Sequence, residues 1–426
     1  MTRFDARGRA KLLLLIFIIA LAFQLVPAVL QAEAAGGGAE PPAAAGGGAT
    51  DGSRDTGAEA AEAVTGTITQ DQLDLVDTEG VEAYWSKLSS EYGGFFPEGR
   101  MPTFREMLLP GGGFKLVDVL QGLLRYLWHE VLYNGKLLVT IVMLTVFSMV
   151  LETMQTAFER SAISKVAYAI TFMVLVIIAV NSFHVAIGYA REAIESMITF
   201  MLAMVPLLLT LLASMGSIVS VSVLHPLIIF MIHAVGTVIY AFVFPLLFFS
   251  AVLHIASALT EKFKVTQLAN LLRTVAVGAL GVMLTVFLGV ISVQGATGAV
   301  TDGVTLRTAK FVTGNFVPVV GRMFSDAADT VISASMLAKN AIGLAGVIVL
   351  LFLSAFPALK ILTLALIYNI AAAVMQPLGD SPIADCLQTI GKTMIYVFAA
   401  LAAVSLMFFL AVTIILTAGN AALMVR

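Results

Sequence analysis

The chain of 426 residues contains a single cysteine, Cys386, and only 12% of its residues are Asp, Glu, Lys or Arg. One thiol excludes an intrachain disulfide and any metal site built from several cysteines. The net charge of -3, with no basic run beyond the first eleven residues, argues against a nucleic-acid partner. Catalytic constellations are missing as well. His129-Glu130 begins like a zinc-protease helix, but the fifth position is Tyr133 instead of a second histidine. Gly391-Lys392-Thr393 ends like a phosphate loop, yet Cys386 stands where the earlier glycine is required. His184, His225, His233 and His254 are scattered through apolar segments without ligand spacing, as expected of side chains that pack or bond between helices. No enzyme activity, cofactor or metal is therefore expected.

What the chain has in excess is apolar surface: 59% of its residues are hydrophobic and the mean hydropathy is +0.97. Such values lie far outside the range of soluble globular domains, so the expected fold is an all-α, polytopic helical membrane protein. Residues 1–34 read as a secretory signal. Arg3, Arg7, Arg9 and Lys11 precede an apolar core from Leu12 to Leu25, and Ala32-Glu33-Ala34 offers a cleavage site. An uncleaved first anchor is the alternative, and either way the residues that follow start on the outer face. Residues 35–66 are a Gly/Ala-rich, disordered tether. Residues 67–134 form an extracytoplasmic amphipathic cap in which Leu73, Val76, Val81, Trp85 and Leu88 are the expected buried positions.

Apolar stretches then fall near 136–151, 165–187, 195–213, 221–258, 271–293, 341–377 and 393–418. The two longest exceed the roughly 20 residues that cross a bilayer, which predicts two helices or one broken helix in each and about nine spans in all. Residues 135–188 make the first transmembrane pair. Beyond it, Val205-Pro206 recurs as Val317-Pro318 and Phe244-Pro245 as Phe356-Pro357, from 206 to 318 and from 245 to 357, about 112 residues in both cases. Two related units follow, 189–300 and 301–426, each opening its last span with a basic residue and threonine, Arg273-Thr274 and Lys392-Thr393. Pro206, Pro245, Pro318 and Pro357 are the expected helix breaks, and repeats with broken helices are the architecture of many permeases. Whether the units run parallel or inverted depends on whether the Val-Pro segments cross.

The second unit carries polarity that the first lacks. On a helix from Gly321 to Asn340, a turn of about 100° per residue brings Arg322, Asp326, Asp329, Ser333 and Asn340 to one face and sends Phe324, Ala327, Val331 and Ala338 to the other. This candidate stripe must face protein or water, because ionisable groups are costly in lipid. An ion-paired contact face, with Arg322 and Asp326 at i and i+4, and a lining for an aqueous path both satisfy that condition.

The run from Ser292 to Gly346, SVQGATGAVTDGVTLRTAKFVTGNFVPVVGRMFSDAADTVISASMLAKNAIGLAG, resembles the stage III sporulation protein AE family of endospore-forming bacteria. The order of signal, outer segment and multispan body is similar as well. The resemblance implies a component of the secretion-like complex that joins mother cell and engulfed forespore, lying in the mother-cell-derived membrane around the forespore. It also implies partners among the products of the same operon and in the forespore membrane, and a dependence of late forespore gene expression on the protein. A channel subunit, a structural hub of that complex and a free-standing ion-coupled transporter are the functions that fit the residues.

Overall fold

The computed structural model describes residues 78–99, 101–108, 116–157, 162–259, 265–316, 320–376 and 382–424. The signal segment and the tether lie outside them. Every regular element among the described residues is helical. A cap is formed by α1 (Glu79–Tyr92), α2 (Phe104–Leu108) and α3 (Leu116–Tyr133). The body is formed by α4 (Gly135–Ala157), α5 (Ala162–Ser214), α6 (Ile218–Val238), α7 (Phe244–Leu259), α8 (Thr266–Phe316), α9 (Val320–Met375) and α10 (Pro382–Met424). Five rods are long and apolar enough to cross a membrane: Val166–Ser214, Ile218–Ala258, Thr266–Thr305, Thr330–Met375 and Pro382–Ala418. The pair α3 and α4, bent by 44° between Tyr133 and Gly135, counts as a sixth if it is taken as one span.

Among the described residues the candidate spans thus number five, or six with the bent pair, where about nine were expected. The stretches 165–187 and 195–213 fuse into α5, because the intervening charges Arg191, Glu192 and Glu195 all sit on its exposed side while Ala190, Ala193 and Ile194 face the core. The expected proline breaks are corrected too. α5 continues through Pro206, α6 through Pro226 and α9 through Pro357. A proline frees one carbonyl, and a rod held by neighbours on several sides tolerates that loss. Only ahead of Pro245 does the backbone change register, residues Ile239–Val243 forming a π-helical turn in which the Phe244 N–H bonds to the Ile239 carbonyl. Pro318 lies between α8 and α9, outside the described residues.

Paired contacts fix how the rods align. At one end, near the α7–α8 and α9–α10 connections, the Ser257 and Thr266 hydroxyls bond at 2.7 Å and the Ser250 hydroxyl donates to the Ala269 carbonyl at 2.7 Å. Midway, Arg191 lies 5.2 Å over the Tyr240 ring, Lys360 lies 5.1 Å over Tyr189, and the Ser405 hydroxyl donates to that of Ser354 at 2.9 Å. At the far end, beside the α5–α6 corner, Asp302 meets Val219 and Lys339 meets Leu416. The rods thus run the length of the bundle in alternating directions. α6 with α7 descends from far end to loop end, α8 returns, α9 descends and α10 returns. At 1.5 Å per residue the 53 residues of α5 extend about 80 Å, more than twice the roughly 30 Å hydrocarbon core of a bilayer.

The cap packs into the body. α1 wedges between α5 and α9, burying Val81, Trp85, Leu88 and Tyr92; three of these are the positions its amphipathic pattern marks. Its partners are aromatic. Trp85 reaches Phe352 and donates its indole N–H to the Pro102 carbonyl at 2.8 Å, while Tyr92 stacks on Phe356 with ring centres 3.8 Å apart.

Candidate functional site

Because α9 is helical from Val320, the spacing that gathers the polar stripe holds for the backbone. The side chains of Arg322, Asp326 and Asp329, with Phe324 and Ala327, lie outside the described residues. Ser333 is exposed and Asn340 half-buried, with exposed Thr330 and Leu337 on the same side of the helix. Of the positions expected opposite, Ala338 is buried, whereas Val331 is 43% exposed. The strongest polar anchor in this region is Lys339, a quarter-turn away from the stripe. It is fully buried and its ammonium donates to the Leu416 carbonyl of α10 at 3.0 Å. One turn further on, Gly343 leaves room for the Leu416 side chain, which a Cβ there would strike.

A second anchor closes the same end of the bundle from α8. Asp302, 1% exposed, accepts the backbone N–H groups of Val219 and Ser220 through its two carboxylate oxygens, each at 3.1 Å. Those donors belong to the first turn of α6, where intrahelical partners do not exist. Ser217, at the N-cap, makes no side-chain capping bond, so the cap comes from a residue 83 positions along the chain. Both the orphan donors and the positive end of the helix dipole favour a carboxylate there. The close approach requires Gly298, one turn before Asp302, since a Cβ would overlap the Ser220 hydroxyl and lie 3.3 Å from the Ser220 Cα. The corner itself turns on Gly216 at φ 87°, a conformation that other residues adopt at a cost. Sequence reasoning passed over Asp302; a lone acid in a run of Thr, Gly and Val was its only signal.

Midway along the bundle lies a polar waist. A cleft of about 100 Å³ opens between α1, α5 and α9, lined by Lys87 and Glu91 of the cap, Tyr189 and Glu192 of α5, and Lys360 of α9. The Tyr240 hydroxyl donates to the Arg191 carbonyl at 3.3 Å. Nearby, burial above all and then a hydrogen bond to Glu91 push the Tyr92 phenol well above its ordinary range, which keeps it neutral. Among the described residues no group of three or more His, Cys, Asp and Glu could hold a metal ion. Cys386 is buried and free, and the His254 ring bonds to the Ser250 carbonyl of its own helix at 2.9 Å. The chemistry of these three places is that of joints between helices.

Comparison with known proteins agrees with the resemblance of the Ser292–Gly346 run. Residues 103–419 match the family described as stage III sporulation protein AE. The chain belongs to that family. It is 56% identical over 351 residues to stage III sporulation protein AE of Bacillus subtilis (strain 168), a match that covers 82% of this chain and 88% of the relative. No solved structure matches. The family match takes in α2 to α10 with the stripe, the Asp302 cap and the Lys339 anchor, whereas α1 precedes it. A sporulation role follows from this membership.

Proposed function

We propose that the protein is an integral membrane component of the complex that joins mother cell and engulfed forespore, required for late forespore gene expression, and that it serves there as a scaffold. The reading combines family membership with one feature of the bundle. Its axis is filled by Phe183, Phe200, Phe287, Phe352, Phe356 and Phe408, none more than 1% exposed, so a single copy in this state presents packed side chains where a conduit would need water. The stripe of Arg322, Asp326, Asp329, Ser333 and Asn340 is then a contact face for other proteins of the same operon complex and for a forespore membrane partner. The protein sits in the mother-cell-derived membrane around the forespore, its N-terminal region extracytoplasmic behind the signal segment. Two related units, 189–300 and 301–426, remain part of this reading. Pro245 and Pro357 both stand within rods that descend from the far end, and Arg273-Thr274 and Lys392-Thr393 both lie near the start of returning helices, an arrangement that supports reading the units as parallel.

A second reading, a subunit that lines a transport path with the stripe, is favoured by the outward position of Ser333. Arg322→Ala and Asp329→Ala separate the two. In sporulating cells the scaffold reading expects both variants to reach the membrane at normal level but to lose co-isolation with the operon partners, and with it late forespore expression. Intact co-isolation with silent late expression would support the path and contradict the scaffold.

A further inference from the structure

The length of the rods poses a question that their composition leaves open. Each is about twice as long as a bilayer core is thick, and the outer surface of the bundle changes character at the waist. On α5, the exposed positions of the loop-end half are dominated by Val166, Ile170, Met173, Val174 and Ile177. Past the waist, the exposed positions of the same helix are Glu195, Thr199, Ala203, Pro206, Thr210 and Ser214. The large hydrophobic residues of that second stretch, among them Met204, Leu208 and Leu212, are buried in the core, with Ile198 and Leu202 half-buried beside them. α4, which packs along the loop-end half of α5, exposes Val139, Met143, Val146, Phe147 and Val150.

The flank just beyond the waist is also covered by α1, which exposes Glu79 and Glu82 there and Lys87 and Glu91 at the cleft. Four exposed charges on one short helix cannot lie against hydrocarbon. Gly80 stands 3.7 Å from the Ala203 side chain and Tyr92 stacks on Phe356, so these charges run along α5 and α9 from the waist to about the middle of the far half. That half does expose apolar residues, among them Val223 and Phe230 on α6, Val293, Val300 and Val304 on α8, and Leu120 and Leu124 on α3. They are interleaved with exposed Ser222 and His225 on α6, Thr297 and Thr301 on α8, and Gln121 and Arg125 on α3, so these helices too offer hydrocarbon a broken surface. Lengths agree with the division. From Val166 to Gly188 α5 rises about 33 Å, and from Ala241 to Ala258 the descending rod covers about 26 Å, each close to one hydrocarbon core.

We propose that the bilayer surrounds only the loop-end half of the bundle, that Lys136, Arg191, Glu192 and Lys360 of the waist lie in its outer headgroup layer, and that the far half, sheathed near the waist by α1, stands in the aqueous space beyond. Trp128, Tyr133, Tyr189 and Tyr240 cluster at the same level as these charges, the composition of a membrane-water boundary. Arg273 near the opposite end, with Lys262 and Lys264 in the sequence just before α8, favours the cytoplasmic side for the loop end. The Asp302 cap, the Lys339 anchor and the polar stripe of α9 then belong to a tower about 35 Å tall, measured along α5 from Arg191 to Ser214. Such a tower reaches partners outside the membrane without a further domain. This placement rests on surface chemistry alone and holds whether or not the scaffold reading does.

Nitroxide labels test it on the full-length protein, in a Cys386→Ala background, reconstituted into vesicles of phosphatidylglycerol and phosphatidylethanolamine. Single cysteines replace exposed residues only: Phe147, Ile170 and Met173 in the loop-end half, Glu195 at the waist, and Thr199, Thr210 and Ser222 in the far half. Collision with oxygen should exceed collision with a water-soluble nickel chelate at 147, 170 and 173, and the order should reverse at 199, 210 and 222, with 195 between. Oxygen dominance at 199 and 210 equal to that at 170 would overturn the proposal. So would chelate dominance at 170.

Discussion

Replacing Asp302 by alanine isolates the joint that ties α8 to the start of α6. The carboxylate is buried and holds two backbone donors, each at 3.1 Å. Its removal leaves both donors without the partner that water or the helix would otherwise supply. An unsatisfied buried donor costs about 1–3 kcal/mol, and loss of a helix cap alone about 0.5–2 kcal/mol. We expect a loss of about 3 kcal/mol for Asp302→Ala, which raises the opened fraction roughly 150-fold at 1.4 kcal/mol per tenfold. Asp302→Asn keeps the shape and an acceptor oxygen but loses the charge, so its cost should be about half as large. Pulse proteolysis of the purified protein in detergent reads the opened fraction directly. Adding Ser217→Asp to the alanine variant supplies a carboxylate from the N-cap position itself and should recover about 1 kcal/mol. If Asp302→Ala stays within about 0.5 kcal/mol of the parent, the size of an ordinary surface substitution, the cross-chain cap contributes nothing and the reasoning fails.

Trp85→Ala should detach α1 at a cost of about 3–5 kcal/mol, seen as proteolytic cleavage at α1 while the body stays intact. Tyr92 adds a pH signature. Its phenol titrates higher in the folded state than the ordinary value near 10, so its contribution is complete below about pH 10 and lost as pH rises further; resistance of α1 to protease should be flat up to that point and fall above it, with Tyr92→Phe reducing the fall and the raised phenol of neighbouring Tyr126 carrying the rest. Thr363 has a buried hydroxyl without a hydrogen-bond partner, and Thr363→Val should stabilise the bundle by about 1 kcal/mol in the same assay. Lys339→Met, which keeps the volume and removes the buried charge, should be neutral or stabilising, whereas Lys339→Ala should lose about 2–5 kcal/mol. Reporter fusions at 265 and 385 should both fall on the cytoplasmic side and a fusion at 300 outside, whereas the nine-span arrangement requires 385 outside.

Helix type and apolarity were legible in the sequence because both depend on composition and period alone. The buried face of α1 was legible as well, at Val81, Trp85 and Leu88, since an amphipathic pattern over one short helix has a single solution. The number of rods was not. A hydropathy count sums inward and outward side chains, so the stretch with Arg191 and Glu192 looked like a boundary between two spans, although α5 simply turns them outward and continues. Pro206 and Pro357 misled in the same direction, because the cost of a proline in a rod is set by neighbours that the local sequence does not reveal. The helix that carries the stripe was legible from its spacing, but the two anchors beside it were missed. Asp302 and Lys339 act across helices, on Val219, Ser220 and Leu416, and such pairings carry no periodic signal. The charged anchor and the glycine one turn from it, Gly298 with Asp302 and Lys339 with Gly343, are the trace they leave in the sequence.

The claim that the protein belongs to the machinery joining mother cell and forespore is tested most directly in sporulating cells that lack its gene, by a late forespore reporter scored only in forespores whose engulfment is complete. The account predicts that engulfment finishes and the reporter stays silent until the intact gene is restored. Wild-type reporter activity in the engulfed forespores of the deletion strain would contradict it.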